Sequence, residues 1–179
     1  MDYLKILHEN PDLADEFDSL FDFFLLDELS PRDDAEGRCT FSLPGMAFAR
    51  DGSGGEYHLL EDGSIGYYSS EGEAGRLAES MDDLFSLLVS CICWHDCCDT
   101  KQYVDSKTLE EYGQRQRNTN LEDMDSLRRV SDALGIPTGE PLAPVLERFR
   151  KATQREPVYQ CIFHEDDGSL TESYGLMFE

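Results

Sequence analysis

The stretch Phe48–Ser80, FARDGSGGEYHLLEDGSIGYYSSEGEAGRLAES, decides the fold. Glycine recurs in it at positions 52, 54, 55, 63, 66, 72 and 75, mostly beside Asp, Ser or Glu. Such a run is a phosphate cradle, a catalytic loop, or punctuation between short strands. A P-loop needs GxxxxGK[ST], and a dinucleotide fingerprint needs GxGxxG between a strand and a helix. A nucleophile elbow needs GxSxG. None of the three occurs, and Asp51–Glu56 carries acids where a phosphate would need bare amides and a lysine. The glycines therefore read as turns and sites of close backbone approach.

Between the turns lie short apolar runs: Thr40–Leu43, Met46–Arg50, Glu56–Leu60 and Ser64–Tyr68. Pro44-Gly45, Asp51–Gly55 and Glu61-Asp62-Gly63 separate them. Connections this short cannot cross over between parallel strands, so the region reads as an antiparallel meander. Ser70–Glu73 and Ser80–Asp83 both have capping-box spacing. The second opens a helix through Leu84, Phe85, Leu87, Leu88, Cys91 and Ile92, expected to run past Trp94 to about Asp96.

Upstream, Asn10-Pro11 is a helix opening, since Asn caps and Pro suits the first turn. Leu13, Phe17, Leu20, Phe21 and Phe24 recur at helical spacing and predict a helix to about Glu28. Asp15, Asp18 and Asp22 share another face of that helix. Ser30–Gly37 reads as a polar loop. Downstream, Asp105 or Ser106 caps a helix carrying Leu109 and Tyr112. Asn120 is expected to cap the next, which carries Leu127, Val130 and Leu134 and stops at Gly135 and Pro137. Pro141 opens a further helix, and Val158–His164 with Leu170–Phe178 form a C-terminal hairpin around Asp166–Ser169.

The chain has 179 residues, enough for a real core in one domain spanning 1–179. Its formal charge of −23 sets it against binding nucleic acid or an anionic membrane and toward cationic partners. The charge is uneven: residues 1–100 carry 23 acids against 5 bases, residues 101–155 carry 9 against 10, and residues 156–179 carry 6 acids and no base. The first residues, MDYLKILHENPDLADEF, show no secretory pattern and no apolar run approaches membrane-spanning length, so a cytoplasmic protein is expected. Its six cysteines then count as thiols.

Two groups of residues could carry chemistry. On one continuous helix, Cys91, His95 and Cys98 of CICWHDCC would share a face, and Cys93 and Cys97 would pair on another. Zinc or thiol redox chemistry is the alternative to a packed core there. The CxxC knuckle of zinc sites is missing, and buried cysteine behaves as a small hydrophobe, so no metal and no cofactor is expected. The histidines at 8, 58, 95 and 164 lack HExxH or related spacing, and no carboxylate pair is singled out for acid–base work. Nothing demands an enzyme.

The segment Phe48–Tyr57, then Asp62–Tyr67, Ser70–Glu73 and the helix from Ser80 through Leu88 resembles the SUKH superfamily. That superfamily includes bacterial immunity proteins and a fungal cell-wall-synthesis regulator. The likeness covers roughly positions 45–90. The Phe-rich N-terminal helix, Leu43-Pro44 directly before a strand, CICWHDCC and the final hairpin depart from the family pattern. The resemblance implies an α+β fold, a central and mostly antiparallel sheet packed by helices, and a non-catalytic binder of a cognate toxin domain, often a nuclease or deaminase. A cationic toxin surface fits the charge pattern. Candidate contact residues are Asp15, Asp18, Asp22, Asp33, Asp34, Glu61, Asp62, Glu71 and Glu73, with Tyr67 and Tyr68 as apolar anchors. An intracellular adaptor of the same fold, or a metal or thiol protein built on Cys91–Cys98, is the alternative.

Overall fold

A computed structural model describes residues 1–31, 39–165, 167, 169–173, 177 and 178. The class is α+β: among the described residues six α-helices accompany a five-stranded sheet and a three-stranded one.

The chain opens with α1 (Tyr3–Glu9), which the sequence reading did not anticipate, capped by Asp2 accepting from the Lys5 N–H at 3.2 Å. Helix α2 (Pro11–Phe21) starts at Pro11 as expected but stops seven residues early. Asp22 takes the left-handed conformation (φ 51°), its N–H closing on the Asp18 carbonyl at 2.8 Å, and Phe24–Pro31 becomes strand β1. Helical periodicity gave way there to pairing with β3. Phe23 is buried and packs its ring near Phe17, Tyr57 and Phe85, an anchorage that a continued helix would not give.

Strands β3 (Gly45–Arg50), β4 (Glu56–Leu60), β5 (Ile65–Tyr68) and β6 (Ala74–Ala78) follow. The main sheet runs β1-β3-β4-β5-β6 with every pair antiparallel. The meander is therefore correct, but Ser70–Glu73 caps no helix. Gly72 (φ 97°) donates its N–H to the Ser69 carbonyl at 3.1 Å in a turn that delivers β6. All five residues of β6 are buried, which erased the alternation that marks a strand in sequence. Thr40–Leu43 leaves the meander: β2 (Cys39–Phe41) pairs with β7 (Cys161–His164), which pairs with β8 (Leu170–Ser173).

Helix α3 (Met81–Cys91) is capped by Ser80, whose Oγ accepts from the Asp83 N–H at 3.2 Å. It ends at Cys91, short of Asp96, because Ile92 turns to positive φ (66°), and Trp94–Cys97 form a separate 3₁₀ turn. Helices α4 (Ser106–Asn120), α5 (Met124–Leu134) and α6 (Leu142–Thr153) follow, before β7 and β8, with α5 closing at Gly135 as expected. Asn120 ends α4, and the cap of α5 is Asp123. Helix α6 lies on β6 and also packs α3 and α4. Among the described residues no helix is long and apolar enough to cross a membrane.

A fully buried arginine joins the main sheet to the chain that leads into the small one. Arg76 on β6 donates to Ser64 Oγ (2.9 Å) and to the Arg155 and Pro157 carbonyls (2.9 and 3.2 Å). Tyr159 then packs flat on Phe41 and bonds His58 of β4. Leu60, Tyr68, Ala74, Tyr159 and Cys161 form this second core.

Candidate functional site

In a meander successive turns alternate between sheet ends. The β3–β4 and β5–β6 turns thus share one end, where a side chain on Gly54 would sit 3.8 Å from Ser70 Cβ. The β4–β5 turn lies at the other.

At the shared end Asp51 is 6% exposed and organises the β3–β4 turn. Its Oδ1 accepts from the N–H groups of Ser53 (3.0 Å) and Gly55 (2.8 Å) and from Ser53 Oγ (2.7 Å). Its Oδ2 accepts from the Tyr67 hydroxyl, reached from β5. Burial pushes the Asp51 carboxyl up, but the bonds from Tyr67, Ser53 and Gly55 prevail and hold it below its ordinary value. The same burial and the Asp51 charge push the Tyr67 phenol up. Gly55 is required because a Cβ there would collide with the Tyr67 hydroxyl and the Asp51 carboxylate.

His95 reaches the same hydroxyl, its Nε2 lying 3.2 Å from Tyr67 Oη. Its ring stacks on Trp94 at 3.6 Å between centroids, and Trp94 Nε1 donates to the Tyr57 hydroxyl at 3.1 Å. Trp94 and Tyr57 are buried, whereas His95 is exposed. The desolvating protein behind the ring lowers the His95 pKa, against the pull of Asp51, Asp96 and Asp22. From the end of α2, Asp22 Oδ1 accepts from the Gly52 N–H at 2.9 Å, fastening that helix terminus to the turn.

The expected contact residues divide between the two ends. Asp15, Asp22, Glu71 and Glu73 are exposed, and Asp18 is half-buried, its carboxyl raised by burial and by the Asp22 and Asp15 charges. Glu71 and Glu73 stand on the β5–β6 turn beside the Asp51 network. Glu61 and Asp62 occupy the β4–β5 turn at the opposite end. There Asp62 pairs with Arg155 at 2.7 Å and Arg76 at 3.5 Å, and bonds from Ser64 together with both arginines hold its carboxyl low. Tyr67 and Tyr68 are corrected: they are 2% and 9% exposed, each committed to a core, and present no anchor at the surface. Asp33 and Asp34 lie outside the described residues.

The cysteine segment is corrected too. The break at Ile92 destroys the continuous helical face, so Cys91 and Cys97 meet in the core while His95 turns to Tyr67. Contact with Cys97 and burial raise the Cys91 thiol, and burial raises Cys93 and pushes Cys98 up to about 12. Thiols so placed are poor nucleophiles. Among the described residues no group of three or more His, Cys, Asp or Glu could hold a metal ion.

Sequence reasoning missed Asp51, Trp94 and His95 as one site. A signal existed for the first: Asp followed by Ser at the second position and Gly at the fourth is the pattern of a carboxylate wrapped by its own loop. Nothing local signalled Tyr67 or His95, which arrive from other elements.

No family model matches the chain, and searches of the curated proteins and of the solved structures returned no match.

Proposed function

We propose that this chain is a non-catalytic binding protein, an immunity protein of the SUKH kind that occludes a cognate toxin domain by presenting an acidic surface to it. The observation that carries the reading is the set of carboxylates left without a salt bridge at the shared sheet end, where Arg50 pairs with Glu56 at 3.1 Å and reaches none of them. Asp62 at the β4–β5 end has two arginines. Asp22, Glu71, Glu73 and Asp96 make no salt bridge among the described residues. Uncompensated carboxylates repel one another and weaken a fold slightly, which a cationic partner would reverse. A nuclease or deaminase domain carries such a cationic surface where its nucleic acid binds. Thiols of raised pKa and a tyrosine whose proton is committed to Asp51 favour a binder over an enzyme.

The test is co-expression with the C-terminal domain of any candidate toxin encoded beside this gene. Growth rescue together with a stable one-to-one complex supports the reading. Loss of both in a D22N/E71Q/E73Q/D96N variant that still folds assigns the surface. Failure to bind or rescue against every neighbouring toxin defeats the proposal, and capture of a defined cellular protein in its stead would make the chain an adaptor.

A further inference from the structure

Cys91 and Cys97 belong to one packed core, and neither has any exposed surface. On an uninterrupted helix they would stand about 9 Å apart along the axis, further than the roughly 7 Å between Cα atoms that a disulfide tolerates. A chain reversal brings them together instead. Ile92 has φ 66° and ψ −65°, and the Cys93 N–H closes on the Cys91 carbonyl at 2.8 Å. This is a γ-turn of the rare positive-φ kind, built on a buried β-branched residue that adopts it at a cost. Such a backbone persists only where its surroundings hold it, and it gathers at functional positions. Here Trp94 donates to the Tyr57 hydroxyl at 3.1 Å, and the Cys97 carbonyl accepts from the Tyr103 hydroxyl at 2.6 Å. The reversal sets sulfur against sulfur. Cys97 Sγ donates to the Cys93 carbonyl at 3.9 Å, and the same sulfur accepts from the Cys91 thiol.

A buried cation faces this pair. Arg117 of α4 is 8% exposed, yet it makes no salt bridge among the described residues. Its Nη1 donates to the Thr138 carbonyl at 2.9 Å, and the ionisable group it faces is Cys91. A desolvated guanidinium without a counter-ion is costly, and a thiolate at Cys91 would supply one. At rest, the Cys97 contact and burial outweigh Arg117 and keep the Cys91 thiol protonated. The pair is therefore slow to react but placed to react with itself.

We infer that Cys91 and Cys97 form a reversible dithiol–disulfide couple, with Arg117 as the counter-ion of the reacting Cys91 sulfur and a hydroperoxide as the oxidant. The Cys91 sulfur attacks one peroxide oxygen. An S–O bond forms as the O–O bond breaks, and the displaced hydroxide takes the thiol proton and leaves as water. The Cys97 sulfur then attacks the sulfenic sulfur. The S–S bond forms, the S–O bond breaks, and a second water leaves with the Cys97 proton. Two sulfurs lose two electrons in all, and one hydrogen peroxide becomes two waters. The ring so closed contains Trp94 and His95, so oxidation fixes the reversal that places them at the shared sheet end. An external dithiol reopens it by exchange.

The experiment treats the full chain with hydrogen peroxide, alkylates the remaining thiols and maps the peptides without reduction. The expected first product is lighter by two hydrogens, is linked Cys91–Cys97 and keeps the other four of the six thiols. Dithiothreitol should return all six. The urea midpoint of the linked chain should rise, since the link restricts the unfolded state, while Trp94, the only tryptophan, should keep its emission. Cys97→Ser should give no link. Arg117→Met should slow linking about tenfold, the thiolate lost for one pKa unit, and Arg117→Lys should restore the rate, which a packing role alone would not do. Where Arg117→Met fails to fold, the wild-type map and Cys97→Ser decide. Oxidation of Cys93 or Cys98 while Cys91 and Cys97 both remain free, a link that appears only in urea, or no link at all overturns the couple. A midpoint lowered by the mapped link overturns the fixing of the reversal, and Arg117→Met linking as fast as wild type overturns the role of Arg117. None of these readouts depends on the binding function proposed above.

Discussion

Tyr67 donates its hydroxyl hydrogen to the Asp51 carboxylate across the sheet end, tying strand β5 to a turn formed sixteen residues earlier. The contact joins fold and site. It closes the β3–β4 turn, and it leaves the phenolic oxygen to accept from His95.

Removal of that carboxylate should be costly. In Asp51→Ala the Ser53 and Gly55 N–H groups and two hydroxyls lose their acceptor, in a place where the carboxylate was almost wholly buried. We expect a loss of about 3 kcal/mol in urea unfolding. Tyr67→Phe, which keeps three of the four donors on Asp51, should cost about half as much.

Two groups at this end make stability fall with acid. Asp51 has a lowered folded pKa, so its contribution is present above the ordinary carboxylate value and disappears as pH drops through the folded value. His95 is also lowered, by desolvation, so the folded state resists charging it. Below about pH 6.5, the ordinary histidine value, the unfolded chain takes the proton first and stability declines until pH reaches the folded value. Urea midpoints measured across pH should show both declines. His95→Gln should flatten the upper one and Asp51→Asn the lower.

Gly66→Ala tests the joint between the two sheets. A Cβ at Gly66 would stand 2.7 Å from Tyr159 Cε1, and the ring behind it is held by Phe41 and His58. The ring cannot yield cheaply. A loss of about 2 kcal/mol is expected in thermal or urea unfolding, with the three-stranded sheet losing amide protection before the main one.

The cap of α5 is Asp123, three residues beyond the Asn120 that the sequence pointed to. Asp123 Oδ1 accepts from the Asp125 and Ser126 N–H groups at 2.9 and 3.0 Å. Asp123→Ala should lower the urea midpoint modestly, as loss of a side-chain cap does. Asn120, a residue of α4 that bonds Asp96 from its side chain, does not cap α5, so Asn120→Ala should leave the urea midpoint less changed than Asp123→Ala.

Much of the fold was legible where one physical rule acted alone. Asp-Gly turns between apolar runs gave the meander, Ser80 and Asp105 gave helix starts, and Gly135 a helix end. It failed where rules competed. Phe24 fits a helical stripe and a strand equally, and only the partner strand β3 decides between them. Cys91, His95 and Cys98 align on any uninterrupted helix, and nothing in the local sequence announces the positive φ of Ile92. Strand β6 carries an arginine in its centre, and the carbonyls that satisfy it come from residues 155 and 157. Of the site, the acidic residues of the shared sheet end were legible as charge. The triad Asp51, Tyr67 and His95 was not, since its members meet only after two strands and a helix are assembled.

That same Arg76 sets a limit on trimming the protein. A version ending at Thr153 would leave Arg76 with Ser64 and Asp62 but without two of its carbonyl acceptors and the segment that covers it. Expression boundaries, protease-resistant fragments and fusion junctions should accordingly fall beyond Pro157, and any shorter piece should be recovered only as insoluble material.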